Sequence, residues 1–184
     1  MDYSNEQLIV NYLKGDEKSL EILIENHLKP IYGFVYRYVN NSQEAEDITQ
    51  EVFLRTWRNL KKFNHKKGNF KTWIFTIARN AALDFLKKKK VASFSDFVNE
   101  EGESALVETL ADPNPLLNEI LERAEDAKNF NLILGKLPVA YQTLLSFYYN
   151  EQFNFREIAE VLNEPINTIK SRHRRAILML RKLL

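Results

Sequence analysis

Residues 154–184 read Asn154-Phe155-Arg156-Glu157-Ile158-Ala159-Glu160-Val161-Leu162-Asn163-Glu164-Pro165, then Ile166-Asn167-Thr168-Ile169-Lys170-Ser171-Arg172-His173-Arg174-Arg175 and an apolar, basic end. Asn154 with Glu157 three residues on is a capping box, which starts a short helix running through Leu162. Asn163-Glu164-Pro165 supplies the turn, because the residue before a proline is pushed out of helical backbone. In the helix that follows, the 3.6-residue period turns Ile169, His173, Ala176, Ile177 and Leu180 inward. His173 on that stripe reads as a packed core histidine rather than a ligand. Lys170, Ser171, Arg174 and Arg175 project outward near the helix start, where base edges are met, while Thr168 and Arg172 are placed to reach phosphate. A short helix, a tight turn and an arginine-rich helix make a helix-turn-helix, whose second helix enters the major groove of DNA.

The rest of the chain is helical as well. Upstream of the motif, Pro138 suits the first turn of a helix running to about Asn150, and apolar periodicity extends from Leu116 to Leu134. Residues 91–115 lose that periodicity, gather Ser, Asp, Glu and Gly, and end in Asp112-Pro113-Asn114-Pro115, the composition of a flexible linker. Before it lie three helical patterns. Leu20, Leu23, Ile24, Leu28, Ile31, Val35 and Tyr38 form the stripe of a long helix ending near Asn40-Asn41. Ala45, Ile48, Val52, Phe53, Trp57 and Leu60 form that of a second, with Glu44 placed for a capping box. Phe70, Trp73, Ile74, Ile77, Ala78, Ala81 and Phe85 form a third, running into Lys87–Lys90. The expected fold is all-α: two small helical domains, residues 1–90 and 116–184, joined by the linker 91–115.

Charge is segregated along this frame. The chain has 26 basic and 25 acidic residues, a net charge of +1, yet residues 61–90 hold 10 basic and 1 acidic side chains and residues 166–184 hold 6 and 0. The stretch between them, 91–128, holds 2 basic and 10 acidic. Two basic segments separated by an acidic one fit two contacts with a polyanion, joined by a piece that stays off it. There is no cysteine, hence no disulfide or Cys-ligated zinc, and His27, His65 and His173 have no carboxylate spaced as a co-ligand. No metal, cofactor or catalytic group is expected: nucleophile–base pairs and phosphate-cradling glycine loops are missing. The longest apolar run, Ala176 to Leu180, is far short of the about 20 residues that span a bilayer, so the chain is not expected to be a membrane protein but to lie in the cytoplasm.

Two strings then carry a family likeness. Asp47-Ile48-Thr49-Gln50-Glu51-Val52-Phe53-Leu54-Arg55-Thr56-Trp57, followed by Phe70-Lys71-Thr72-Trp73-Ile74-Phe75-Thr76-Ile77-Ala78-Arg79-Asn80, resembles region 2 of the bacterial extracytoplasmic-function (ECF) sigma factors. Leu137-Pro138, Ile158-Ala159-Glu160-Val161-Leu162 and Thr168-Ile169-Lys170-Ser171-Arg172 resemble region 4 of the same family. A helix-turn-helix alone is shared with repressors and activators; the two regions in order are far more specific.

The resemblance implies a subunit that binds bacterial core RNA polymerase and directs promoter-specific initiation, with an anti-sigma factor as a further partner. Asp47, Gln50, Glu51, Leu54 and Arg58 lie on one helix face, which by its pattern alone is also a plain solvated face; in the family it docks on clamp helices of the polymerase large subunit. Lys61, Lys62, Phe63, Asn64, Lys66 and Lys67 would border a pocket for a base flipped from the minus-10 element, with Phe75 as a second free ring and Arg79 and Asn80 gripping DNA. Phe70 and Trp73 are assigned to the core. Thr168, Lys170, Ser171, Arg172, Arg174 and Arg175 would read the minus-35 duplex. The family commonly has a basic residue where this chain has Thr76, and Gly where it has Asn167, a good helix cap. Lys87–Lys90 is either a phosphate contact or a solvated helix end. The rival from another class is a free-standing helix-turn-helix repressor or activator.

Overall fold

The computed structural model describes residues 3–66, 68–93 and 134–183. The chain divides into two compact units, and among the described residues every regular element is helical.

The first unit opens with a helix that the apolar spacing did not announce. α1 (Asn5–Leu13) starts at Ser4, whose hydroxyl accepts the Gln7 amide, and buries Leu8 and Ile9. Gly15, at φ +104°, turns the chain into α2 (Glu17–Val39), a conformation that needs no side chain. Asp16 caps α2 through the Lys18 amide and the Ser19 hydroxyl. Pro30 lies within this helix; the carbonyl it leaves without a donor is that of solvent-facing Asn26. The buried face of α2 is Ser19, Leu23, His27, Ile31, Phe34 and Val35. Leu28, assigned to this face by the sequence, is instead 48% exposed: steps of four from Leu23 through His27 to Ile31 carry the inner line past it, so the polar-looking histidine takes the core position.

Asn40 ends α2 in left-handed backbone at φ 50°, its N–H returning to the Tyr36 carbonyl, and Asn41 caps the next helix by accepting the Glu44 amide at 3.0 Å. α3 (Ser42–Asn59) buries Ala45, Ile48, Thr49, Val52, Phe53 and Thr56. Glu44 does not complete the expected reciprocal cap. Its carboxylate takes Lys89 Nζ at 2.6 Å, tying the start of α3 to the far end of the last helix of the unit. A short 3-10 turn, Leu60–Lys62, leads into the loop before α4 (Phe70–Ser93), which Asn69 caps by accepting the Thr72 amide at 2.7 Å.

α4 packs against both α2 and α3, so its buried arc is wide: Phe70, Thr72, Ile74, Phe75, Ala78, Ala81 and Ala82. The expected stripe ran through Trp73 and Ile77, and both are only half-buried. Contact with two helices rotates the arc toward Phe75 and Ala82.

In the second unit, α5 (Val139–Leu145) follows Pro138 and widens into a π-helical turn, Ser146–Asn150. α6 (Phe155–Leu162) and α7 (Ile166–Leu183) complete it. The core holds Leu144, Phe147, Phe153, Ile158, Ile169, Ile177 and Leu180. The acidic linker and most of the periodic stretch from Leu116 lie outside the described residues.

Candidate nucleic-acid interface

On α3, Asp47, Gln50, Leu54 and Arg58 are exposed on one side, opposite the buried stripe. Leu54 is 49% exposed, a large apolar side chain among polar ones. Glu51 belongs to the same face but is already engaged. Arg55 Nε lies 2.7 Å from its carboxylate, and Arg55 Nη1 is 3.9 Å from Asp84 on α4. The hydrogen bond from Arg55, more than the surrounding positive charge, holds the Glu51 carboxyl below its ordinary value. Between α3 and α4 runs an open cleft of about 330 Å³ whose polar walls are Asp47, Glu51, Arg55, Asp84 and Lys88.

Between Lys61 and Asn69 the described lysines face solvent. Lys61, Lys62, Asn64 and Lys66 are exposed, and the Asn64 side chain accepts the Lys66 amide at 2.9 Å, which turns the loop back. Lys67 lies outside the described residues. Phe63 stands edge-on to Phe70, centroids 5.6 Å apart, and 5.3 Å from the indole of Trp73. Phe70 is buried, whereas Phe63 and Trp73 are half-exposed. This corrects the choice of rings. Phe75 has no exposed surface and meets Phe34 edge-on at 5.6 Å, so it is core and offers no face to a base; Trp73 stands beside Phe63 in its place. Further along α4, Arg79 is half-exposed and Asn80 exposed. Thr76 donates its hydroxyl back to the Thr72 carbonyl at 2.8 Å.

The helix-turn-helix has the expected cap in full. Asn154 Oδ1 accepts the amides of Arg156 and Glu157, and the Glu157 carboxylate accepts the Asn154 amide at 2.8 Å. The left-handed residue of the turn is Asn163, at φ 52°; Asn167 sits one residue inside α7 and is no cap. Lys170 and Ser171 are exposed, and Thr168, Arg174 and Arg175 half-exposed. Arg175 Nε is buried and has no hydrogen-bond partner. Arg172 departs from the sequence reading. Its two terminal nitrogens meet both carboxylate oxygens of Glu164 at 2.9 and 2.7 Å, so it is held by the turn instead of being extended toward a phosphate. His173 is buried, as its place on the inner stripe implies. Its Nε2 lies 3.1 Å from the Tyr149 hydroxyl, and its ring packs on Tyr148 and Phe155. Burial, with Tyr148 nearby, pushes the Tyr149 hydroxyl up to about 12.

Among the described residues no helix is long and apolar enough to cross a membrane, and no group of three or more His, Asp or Glu side chains is placed to hold a metal ion.

Residues 23–91 match the family model described as sigma-70 region 2, and residues 133–182 match that of sigma-70, region 4. The ECF RNA polymerase sigma factor SigW of Bacillus subtilis (strain 168) is 32% identical over 173 residues, covering 93% of this chain and 91% of SigW. The RNA polymerase sigma-H factor of Pseudomonas aeruginosa is 28% identical over 178 residues, 94% of this chain and 89% of its own length. Among solved structures, the sigma factor RpoE from Bartonella quintana, in complex with the anti-sigma factor NepR, superposes with a TM-score of 0.63 at 22% identity, covering 90% of this chain and 96% of that one. CnrH in complex with the cytosolic domain of CnrY gives 0.61 at 18% identity, covering 99% and 97%.

Proposed function

Because the chain belongs to the ECF RNA polymerase sigma factors, we propose a division of labour between its two units in promoter-specific transcription initiation. The first unit docks on core polymerase and captures separated minus-10 DNA, and the second holds the minus-35 duplex. What carries this reading is that both sigma-70 regions occur in one chain, in order, each with its basic surface on the helix or loop that would meet DNA. A free-standing repressor needs only the second.

Asp47, Gln50, Leu54 and Arg58 form the polymerase-docking face, with Leu54 the apolar anchor amid charges complementary to a basic partner. Glu51 contributes through its pair with Arg55. Lys61, Lys62, Lys66 and the aromatic pair Phe63–Trp73 hold single-stranded DNA: cations on the backbone, ring faces for unstacked bases. Arg79 and Asn80 extend this surface along α4. In the second unit Lys170, Ser171, Arg174 and Arg175 read the minus-35 element from the start of α7, with Thr168 beside them.

The magnitudes require the polymerase. Opening about ten base pairs at about 1.4 kcal/mol per step costs roughly 14 kcal/mol. Stacking two or three captured bases returns about 2–9 kcal/mol. Core polymerase and its channel supply the difference. The solved relatives RpoE and CnrH are held in complexes with NepR, an anti-sigma factor, and with CnrY, which supports an anti-sigma partner here as well. The chain works in the cytoplasm and performs no bond chemistry of its own.

Run-off transcription with bacterial core polymerase tests the reading. Specific transcripts that depend on adding the chain are the expected result. Duplex binding by the chain alone, with no transcripts in the presence of core, would favour a repressor or activator instead.

A further inference from the structure

Glu164 is the acidic residue of the turn that opens the recognition helix, and its carboxylate is rigidly rooted. Asn163 before it is in left-handed backbone, its own amide donates to the Ala159 carbonyl at 3.0 Å, and Pro165 follows. From there it takes Arg172, two turns into α7, through a two-pronged pair with both partners largely buried, 30% and 19% exposed. A carboxylate in this geometry satisfies the guanidinium fork in the way a DNA phosphate would. The two acceptors therefore compete for one cation.

From this pairing we infer that Glu164 restrains DNA affinity: it withdraws Arg172 from the DNA backbone and makes it a positioning strut for α7. The inference rests on the assignment of α7 as the minus-35 reader. Its physical logic is that phosphate contacts strengthen binding to every sequence alike, whereas base contacts strengthen only the right one. Neutralising one cation at the mouth of the recognition helix therefore lowers binding to selected and arbitrary DNA alike, and leaves the choice between them to Lys170, Ser171, Arg174 and Arg175. The same pair closes a ring from the turn to the second turn of α7 and fixes the angle at which the helix leaves.

The test uses the full chain with bacterial core polymerase, and a duplex whose minus-35 sequence the wild-type holoenzyme has selected from a random library, beside a scrambled duplex. Affinities are measured across a series of salt concentrations. Glu164→Gln frees Arg172 for a phosphate, so the log–log salt slope steepens by about 0.9 and affinity rises by a similar factor for selected and for scrambled DNA. Arg172→Gln leaves the slope at its wild-type value, and Glu164→Gln has no further effect in that background. Arg172→Lys, which keeps the charge but loses the fork, steepens the slope as Glu164→Gln does; thermal unfolding checks that each variant is folded. A slope flattened by about 0.9 in Arg172→Gln would place Arg172 on phosphate and overturn the inference. So would a Glu164→Gln effect that persists without Arg172, which is plain repulsion, or no effect of Glu164→Gln at all. Wild-type holoenzyme that selects no sequence would instead refute the promoter-reading assignment beneath it.

Discussion

The Phe63 ring lies 5.3 Å from the indole of Trp73, inclined by 39°, and neither is fully buried, whereas Phe75, two residues along the same helix, is sealed in the core. Position along a helix, not residue type, separates the half-exposed Trp73 from the Phe75 that holds the fold.

The two rings should therefore respond differently to truncation. Phe75→Ala opens a cavity between α2 and α4 and is expected to destabilise the first unit by about 3–5 kcal/mol. Trp73→Ala, at the surface, should cost less than half as much. Urea unfolding of the full chain, followed by circular dichroism, checks the order; equal losses would place Trp73 in the core.

On α3, Asp47→Lys should lower affinity for core polymerase at least tenfold, about 1.4 kcal/mol, by putting a cation against a basic partner. Leu54→Ala should act similarly by removing the apolar anchor. Both side chains are exposed, so the fold should be unaffected. Titration of labelled chain with core polymerase measures this, and wild-type affinity in the Asp47→Lys, Leu54→Ala double variant would remove α3 from the docking face.

His27 gives the first unit a pH dependence. Its Nε2 is 3.1 Å from Asn5 Oδ1, its ring meets Phe70 edge-on, and Nδ1 is buried without a partner. Burial, with the Lys71 charge adding to it, pulls its value down from 6.5 to about 4. The folded chain resists the proton that the unfolded chain accepts, so stability is full above pH 6.5 and falls as pH drops toward 4. The loss specific to this group is on the order of 3 kcal/mol. Denaturant midpoints at several pH values, wild type against His27→Gln, isolate it; identical slopes between pH 4 and 6.5 would show that His27 takes up its proton without penalty.

Asn154→Ala removes both amide contacts of the α6 cap and leaves the Glu157 carboxylate facing an uncapped turn. A stability loss of about 1 kcal/mol in the second unit is expected. Asn163→Ala, at φ 52°, should cost about 1 kcal/mol as well, whereas Asn163→Gly should be near neutral. Thermal unfolding of the three variants checks the pattern, and a neutral Asn163→Ala would mean that the turn relaxes.

The helices themselves were legible because their stripes and caps are written locally: Asn41 and Asn154 stand where a cap must stand, and Ile169 to Leu180 keep a strict period. α1 escaped because a nine-residue helix with two buried side chains leaves too few apolar positions to establish a period. The misassigned core residues follow from tertiary contacts that no window along the chain contains. Leu28 yields its place to His27 on the inner line of α2, where Asn5, far away in sequence, supplies the imidazole with a hydrogen-bond partner that makes its burial tolerable. Phe75 is drawn inward because α4 meets α2 as well as α3. Most of the charged side chains singled out from the sequence are exposed or half-exposed, but two of them are not free. Glu51 and Arg172 carry the expected side chains, but Arg55 and Glu164 already engage them. An acid four residues from an arginine is a recognisable helix pair; an acid eight residues away, across a turn, is not.

The central claim, that the first unit holds separated strands while the second holds duplex, is tested most directly by probing one promoter complex for both. Permanganate reactivity of minus-10 thymines reports unpaired bases, and nuclease protection over the minus-35 element reports duplex contact. Holoenzyme carrying Phe63→Ala and Trp73→Ala is predicted to keep the minus-35 footprint and lose thymine reactivity. Thymines as reactive as with the wild-type chain would contradict the account.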